Sequence, residues 1–331
     1  MTDRFNDFDT EIESKPSFEE ALEELRTDDE SLPSPALIVG LSGLTPAQVE
    51  ELAPVWEGLS PTYKRILMQM LVDAAVSNFE LDFRPIGHAA LYSPRADVRQ
   101  AAIELLWEDE SKNLLEQLAH IAQNDDVVEV RAEATKGLGR FVLLGEMGDF
   151  PEETVAILQD ILLEIVADKD EDVLVRRFAI ESIANCTRKE IPKLIAEAYR
   201  SLDSDMRLSA VIAMGRSCDN RWENEILDEL SNSDEDTRIA AIRSAGELQL
   251  SEGVGQIIKN IRDGEREEQE IAIWSLGEIG GKEAVRVLES LQEGAEDAGD
   301  IDLLDLIDEA IGNASLANGD FGLIDFSDLD D

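Results

Sequence analysis

Arg176-Arg-Phe-Ala-Ile-Glu-Ser-Ile-Ala184, Arg207-Leu-Ser-Ala-Val-Ile-Ala-Met-Gly215, Arg238-Ile-Ala-Ala-Ile-Arg-Ser-Ala-Gly246 and Gln269-Glu-Ile-Ala-Ile-Trp-Ser-Leu-Gly277 align without a gap. Their first residues are 31 apart each time. Two earlier copies fit the same frame, Arg99-Gln-Ala-Ala-Ile-Glu-Leu-Leu-Trp107 and Arg131-Ala-Glu-Ala-Thr-Lys-Gly-Leu-Gly139, with first residues 32 apart. The step from Arg131 to Arg176 is 45, a repeat enlarged by about one helical turn and a loop. A fixed period of roughly 20 to 50 residues marks a stack of small supersecondary units, each burying its neighbour, in place of one globular core.

Each copy has the pattern of a helix. With its first residue counted as zero, positions +3, +4, +7 and +8 are small or apolar, one stripe of a 3.6-residue period. Position +3 is alanine in all six copies, and +8 is Gly or Ala except at Trp107. Small side chains at +8 predict close approach of neighbouring helices. The acidic turns ahead of the copies, such as Asp203-Ser-Asp205 and Asp234-Glu-Asp236, supply N-caps and negative charge at the positive helix end. Between copies, segments such as 113–123, 154–167, 191–201, 223–231, 254–262 and 284–292 repeat the three-and-four spacing and predict a preceding helix for each unit. Thr45-Pro-Ala-Gln48 is a capping box with proline at the first helical position, and Ser60-Pro61 opens another helix. The expectation is about eight helix pairs over residues 45–314, after an acidic, largely flexible segment 1–44 and before a tail 315–331.

Composition narrows the function. Across 331 residues, 74 Asp and Glu stand against 29 Lys and Arg, a net charge of −45. Nucleic-acid and anionic-membrane partners are excluded, since both need a cationic surface. The hydrophobic fraction of 43% supports a packed core. No apolar run has the length of a membrane helix, and the acidic N-terminus lacks an apolar signal core, so a cytoplasmic place is expected. Cys186 and Cys218 are the only cysteines, read as reduced, buried thiols.

The pattern Asp-x-Arg-x-x-Ala-x-x-x-Leu-Gly, clearest around Leu276-Gly-Glu-Ile-Gly-Gly-Lys-Glu-Ala-Val285, resembles HEAT repeats, and the 31-residue spacing is similar to the type first named for phycobilisome lyases. That resemblance covers some 250 residues. It implies an all-α fold, a right-handed α-solenoid of HEAT-like helix pairs whose second helices line the concave surface. The repeat class includes bilin-attachment factors, deoxyhypusine hydroxylase and many scaffold proteins. The hydroxylase holds two irons through His-Glu pairs, whereas His88 and His120, the only histidines here, are followed by Ala89 and Ile121. Neither that site nor a phosphate loop or nucleophile elbow is present in the sequence, so no catalytic residue, metal or cofactor is expected. The repeated arginines Arg99, Arg131, Arg176, Arg207 and Arg238 are read as a structural ladder of Arg with Asp between neighbouring repeats.

Positions +1, +5 and +9 share the helix face away from the apolar stripe. There Lys136, Arg140, Arg177, Arg216 and Arg243 gather beside Ile212, Leu208 and Trp274, which at such positions should be exposed. Arginine beside exposed apolar groups is the chemistry of interface hot spots. This face is therefore expected to bind a protein partner through an acidic, partly apolar segment. After Arg286 the chain carries 14 acids and no Lys or Arg, and its last stretch, Asn318 to Asp331, sets Phe321 and Phe326 among them. The tail is read as a second contact or as a competitor for the groove. Two other functions stay open: an acidic, chaperone-like binder of basic proteins, such as ribosomal ones, and a subunit of a bilin lyase.

Overall fold

The computed structural model describes residues 16–27 and 32–317, and among these the regular elements are all helices. The chain divides into two compact units, Met1–Ala179 and Ile180–Asp331. The first holds α1 (Phe18–Thr27), α2 (Pro35–Gly40), α3 (Pro46–Gly58), α4 (Pro61–Ser77), α5 (Arg84–Ala90), α6 (Ala96–Leu105), α7 (Lys112–Asn124), α8 (Val128–Met147) and α9 (Glu152–Ala167). The division falls inside α10 (Val173–Ile183). The second unit holds α11 (Ile191–Tyr199), α12 (Ser204–Arg216), α13 (Glu223–Glu229), α14 (Glu235–Glu247), α15 (Val254–Asp263), α16 (Arg266–Ile279), α17 (Gly281–Ala298) and α18 (Ile301–Ala317). From α3 to α18 there are sixteen α-helices among the described residues, the number that eight pairs require. The enlarged step is explained by α8 and α9, with 20 and 16 residues against 13 each in α12 and α14.

In the first unit the second helices pack α2 on α4, α4 on α6 and α6 on α8; in the second, α12, α14, α16 and α18 pack in the same succession. The six alanines at +3 are completely buried in these layers. Glycine at +8 sets the approach distance. A β-carbon on Gly246 would lie 3.0 Å from the Cα of Ser275, and one on Gly277 would lie 2.8 Å from the Cα of Ala310. Trp107 does not break this rule, because α6 ends at Leu105 and the indole turns out to solvent.

A further tie appears at +6. The hydroxyl of Ser244 donates to the carbonyl of Val211 (2.9 Å), and that of Ser275 to the carbonyl of Ile242 (2.7 Å). In α14 and α16 a buried serine thus bonds to the +4 carbonyl of the helix before it, which fixes register as well as distance.

The caps form as expected. Thr45 and Gln48 make the capping box, Ser60 caps α4, and Asp203 and Asp234 accept from the N–H groups of Met206 and Thr237. The arginine ladder is built differently from the expectation. The first acceptor is a backbone carbonyl six residues back: Arg99 donates to Ser93, Arg131 to Asp125, Arg207 to Ser201 and Arg238 to Asn232, all at 2.8–2.9 Å. Gln269, which replaces arginine in the last copy, reaches the carbonyl of Gly264 at 2.9 Å. Acids of the following repeat then hold the other guanidinium edge, Asp125 for Arg99 but Glu171 for Arg131 and Glu268 for Arg238.

Two expectations need correction. Segment 1–44, expected to be largely flexible, contains α1 and α2, which bury Phe18, Leu22, Leu25, Leu37 and Ile38. Ser17 and Glu20 form a capping box at α1, and Ser34 caps α2 while donating to Glu24 (2.7 Å), so a short amphipathic helix gains a partner that composition did not reveal. Neither cysteine is in a disulfide, but only Cys186 is buried; Cys218 is exposed.

Cys218 has φ +50, and Gln249, at the same +11 position one repeat later, has φ +53. The next copy uses Gly280 there, with φ +66. A side chain in this left-handed region is strained and glycine is not. Cys218→Gly and Gln249→Gly are therefore expected to stabilise the protein by about 0.5–1 kcal/mol each, read as a rise in the urea midpoint. An unchanged or lower midpoint would contradict this.

Candidate protein-binding face

The second helices of each unit present their +5 and +9 side chains on one side, and the predicted cations have unequal fates there. In the first unit Lys136 is exposed on α8, its ammonium 3.5 Å from Glu133 and 6.0 Å from the centre of the Phe178 ring. Arg140, one turn on, is a strut. Its guanidinium donates to the carbonyls of Leu106 and Asp109, both at 2.9 Å, and clasps α8 to the turn after α6. Burial lowers its pKa. Arg177 is half-buried on α10.

In the second unit Arg216 on α12 donates to the carbonyl of Glu181 (3.2 Å) and pairs with its carboxylate at 3.7 Å. Glu181 is buried and also accepts the hydroxyl proton of Ser209 (2.5 Å). Arg243 on α14 is exposed, with its guanidinium 5.3 Å from the centre of the Trp274 ring on α16. Glu247, one turn beyond Arg243, feels both Arg216 and Arg243. Burial nevertheless outweighs their attraction and pushes its carboxyl above the usual range. The apolar residues are less exposed than their positions predicted: Ile212, Leu208 and Trp274 are all half-buried, because neighbouring second helices approach so closely. Phe321 and Phe326 lie outside the described residues.

The sequence brought Arg243 and Trp274 into one column but missed the role of the acids. Glu181 and Glu247 occupy +5 and +9 in that same column, so the signal was there as alternating charge. Taken with their pairs, the arginines form a mixed face of cation, carboxylate and aromatic ring, not a basic stripe.

The first unit carries one more polar cluster. His88 on α5 lies 2.7 Å from Asp109 through Nε2 and 2.9 Å from Gln117 through Nδ1, and Gln117 donates to the hydroxyl of Tyr92 (3.0 Å). Burial would raise the pKa of Asp109, but hydrogen bonds from Ser111 and His88 outweigh it and hold the carboxyl below its ordinary value. Every ring nitrogen here is engaged in cross-linking α5, α7 and the turn between α6 and α7. Among the described residues no group of three or more His, Cys, Asp and Glu side chains is arranged to hold a metal ion, and no helix is long and apolar enough to cross a membrane.

Residues 85–166 and 223–300 match the family model of HEAT repeats. That match does not distinguish the phycobilisome-lyase subtype expected from the spacing. No curated protein matches the sequence. Among solved structures, YibA of E. coli aligns over 84% of this chain and 95% of its own at 16% identity, with a TM-score of 0.44. Importin beta aligns over 91% of this chain at 12% identity and a TM-score of 0.42, and this chain spans 45% of its length. Human deoxyhypusine hydroxylase aligns over 79% of this chain and 95% of its own at 17% identity, with a TM-score of 0.35.

Proposed function

We propose, from the match of two stretches of this chain to HEAT repeats, that it is a non-enzymatic scaffold whose second-helix face, the concave side in such solenoids, receives an acidic, partly apolar segment of a protein partner. One arrangement supports the reading, and it occurs once in each unit. A cation at +5 of one second helix lies over an aromatic ring of the next: Lys136 over Phe178, and Arg243 over Trp274. The ring orders the cation while leaving its outer side exposed, and aromatic and arginine side chains are those that carry most of the energy in protein interfaces. Arg216 and Arg140 act behind them as supports. Within the first unit Arg177 belongs to the same second-helix layer as Lys136, within the second Ile212 to that of Arg243, and Phe321 and Phe326 in the tail are the residues that would compete for the cations.

Affinity purification with mass spectrometry identifies the partner, and the double variant Lys136→Glu, Arg243→Glu then tests the face. Both side chains are exposed, so the fold survives while the local charge reverses. Retention of the partner is expected to fall at least about tenfold, as for loss of two interface charges. Full retention by a folded double variant would overturn the reading. Arg216→Glu is the poorer test, because it sets a third carboxylate against Glu181 and Glu247.

A further inference from the structure

Trp107 is the one large residue at +8. It is 50% exposed in the turn after α6. The clasp of Arg140 onto the carbonyls of Leu106 and Asp109 holds that turn against α8. One turn further along α8 the same ridge continues through Leu143, 47% exposed, and Met147, 69% exposed, on the two extra turns that only this enlarged repeat possesses. Three large apolar side chains thus project from one end of the first unit's second-helix layer. Single exposed apolar residues are ordinary, whereas several grouped together mark interaction sites.

The charge around the patch identifies its occupant. Between Arg99 and Lys112 the chain has no cation, and none occurs from Phe141 to Asp168; of the cations nearby in space, Arg140 is spent on two carbonyls and Arg84 is paired with Asp82. Exposed Glu104, Glu108 and Glu110 border it on the α6 side, and Asp149 lies beyond the end of α8. Both helices also point their C-terminal, partially negative ends this way. The chain's own tail, apolar but carrying only acids, is the wrong sign.

We propose that Trp107, Leu143 and Met147 form a docking site for a cationic amphipathic helix of a partner protein, with its apolar stripe on these three side chains and its lysines or arginines on the acidic border. The site does not depend on the Lys136 and Arg243 face, which takes the opposite charge.

Three synthetic peptides test it by titration into the full chain at near-physiological salt. The first is a helix of about 18 residues with leucine at three-and-four spacing and lysine elsewhere, the second a scramble of equal composition, the third residues 318–331. The patterned peptide is expected to bind at least about tenfold tighter than the scramble, and the tail peptide not to bind at this patch. The triple variant Trp107→Ser, Leu143→Ser, Met147→Ser should erase the preference and leave weak, salt-sensitive binding of both lysine peptides. Glu108→Lys, Glu110→Lys, which removes no apolar contact, should weaken the patterned peptide as well. Equal affinity for pattern and scramble, a triple variant that binds like wild type, or preference for the tail peptide would each overturn the proposal. So would dimers of the wild type that dissociate in the triple variant, since a second copy would then own the surface.

Discussion

Replacing Gly277 with valine is expected to loosen α18 from α16 and to lower the thermal midpoint of the second unit by roughly 6–12 °C. A β-carbon at this position lies 2.8 Å from the Cα, 3.0 Å from the Cβ and 3.0 Å from the carbonyl oxygen of Ala310. These are backbone and near-backbone atoms, so no rotamer change makes room and the two helices must separate. Overpacking of this kind costs about 3 kcal/mol, and a domain near 150 residues loses about 2–4 °C per kcal/mol. Gly294 is the matched control: it lies in α17 with no neighbour inside 4 Å. Gly294→Ala should stabilise by about 0.5–1 kcal/mol through helix propensity alone. Calorimetry, with limited proteolysis of the chain after residue 300, separates the two. Equal melting of Gly277→Val and wild type would show that α18 is not held by this contact.

Removing the carboxylate of Glu268 is expected to be comparably severe. Glu268 is almost fully buried on α16 and takes two hydrogen bonds from Arg238, at 2.7 and 2.8 Å. The pair lifts the guanidinium's pKa further above its ordinary value, the hydrogen bond from Arg238 being the main cause. Glu268→Ala leaves Arg238 with the carbonyl of Asn232 and only the more distant charges of Glu235 and Asp234, at a cost of about 3 kcal/mol. Adding Arg238→Leu should recover much of that loss, because the damage comes from the orphaned charge more than from the lost attraction. For comparison, Lys112 and Glu116 are exposed on α7, and breaking their pair should cost under about 0.5 kcal/mol. Urea unfolding of the single and double variants decides it. A Glu268→Ala loss no larger than that of Lys112→Ala would mean the ladder is ornamental.

The helix-pair repeat was legible because stacking imposes the same constraint on every unit. Alanine at +3 and glycine at +8 answer to the distance between adjacent helices, and that distance hardly varies along a stack. The caps were legible for a related reason: Thr45, Ser60, Asp203 and Asp234 satisfy N–H groups within three residues of themselves. By contrast, α1 and α2 were missed, because the bond from Ser34 to Glu24 and the burial of Leu22 depend on packing that no local pattern announces.

The candidate face was legible only as a column of residue types. The spacing placed Arg243, Trp274 and Arg216 together, but spacing is blind to the diagonal between neighbouring helices. On that diagonal Glu181 meets Arg216, and burial between helices turns Glu247 toward its protonated form. Arg140 makes the same point: its position promised an exposed cation, and two carbonyls of a preceding turn claimed it.

By itself, then, the sequence determined the all-α repeat, its pairing, its period and its −45 charge, since each follows from contacts or counts that recur along the chain. Only tertiary structure decided which cations are exposed and which are held by carbonyls and buried carboxylates, and that Trp107 faces water. The reason is physical: a side chain's hydrogen-bond partners and solvent exposure are set by helices some thirty residues away, and the one-dimensional pattern holds their identities but not their distances.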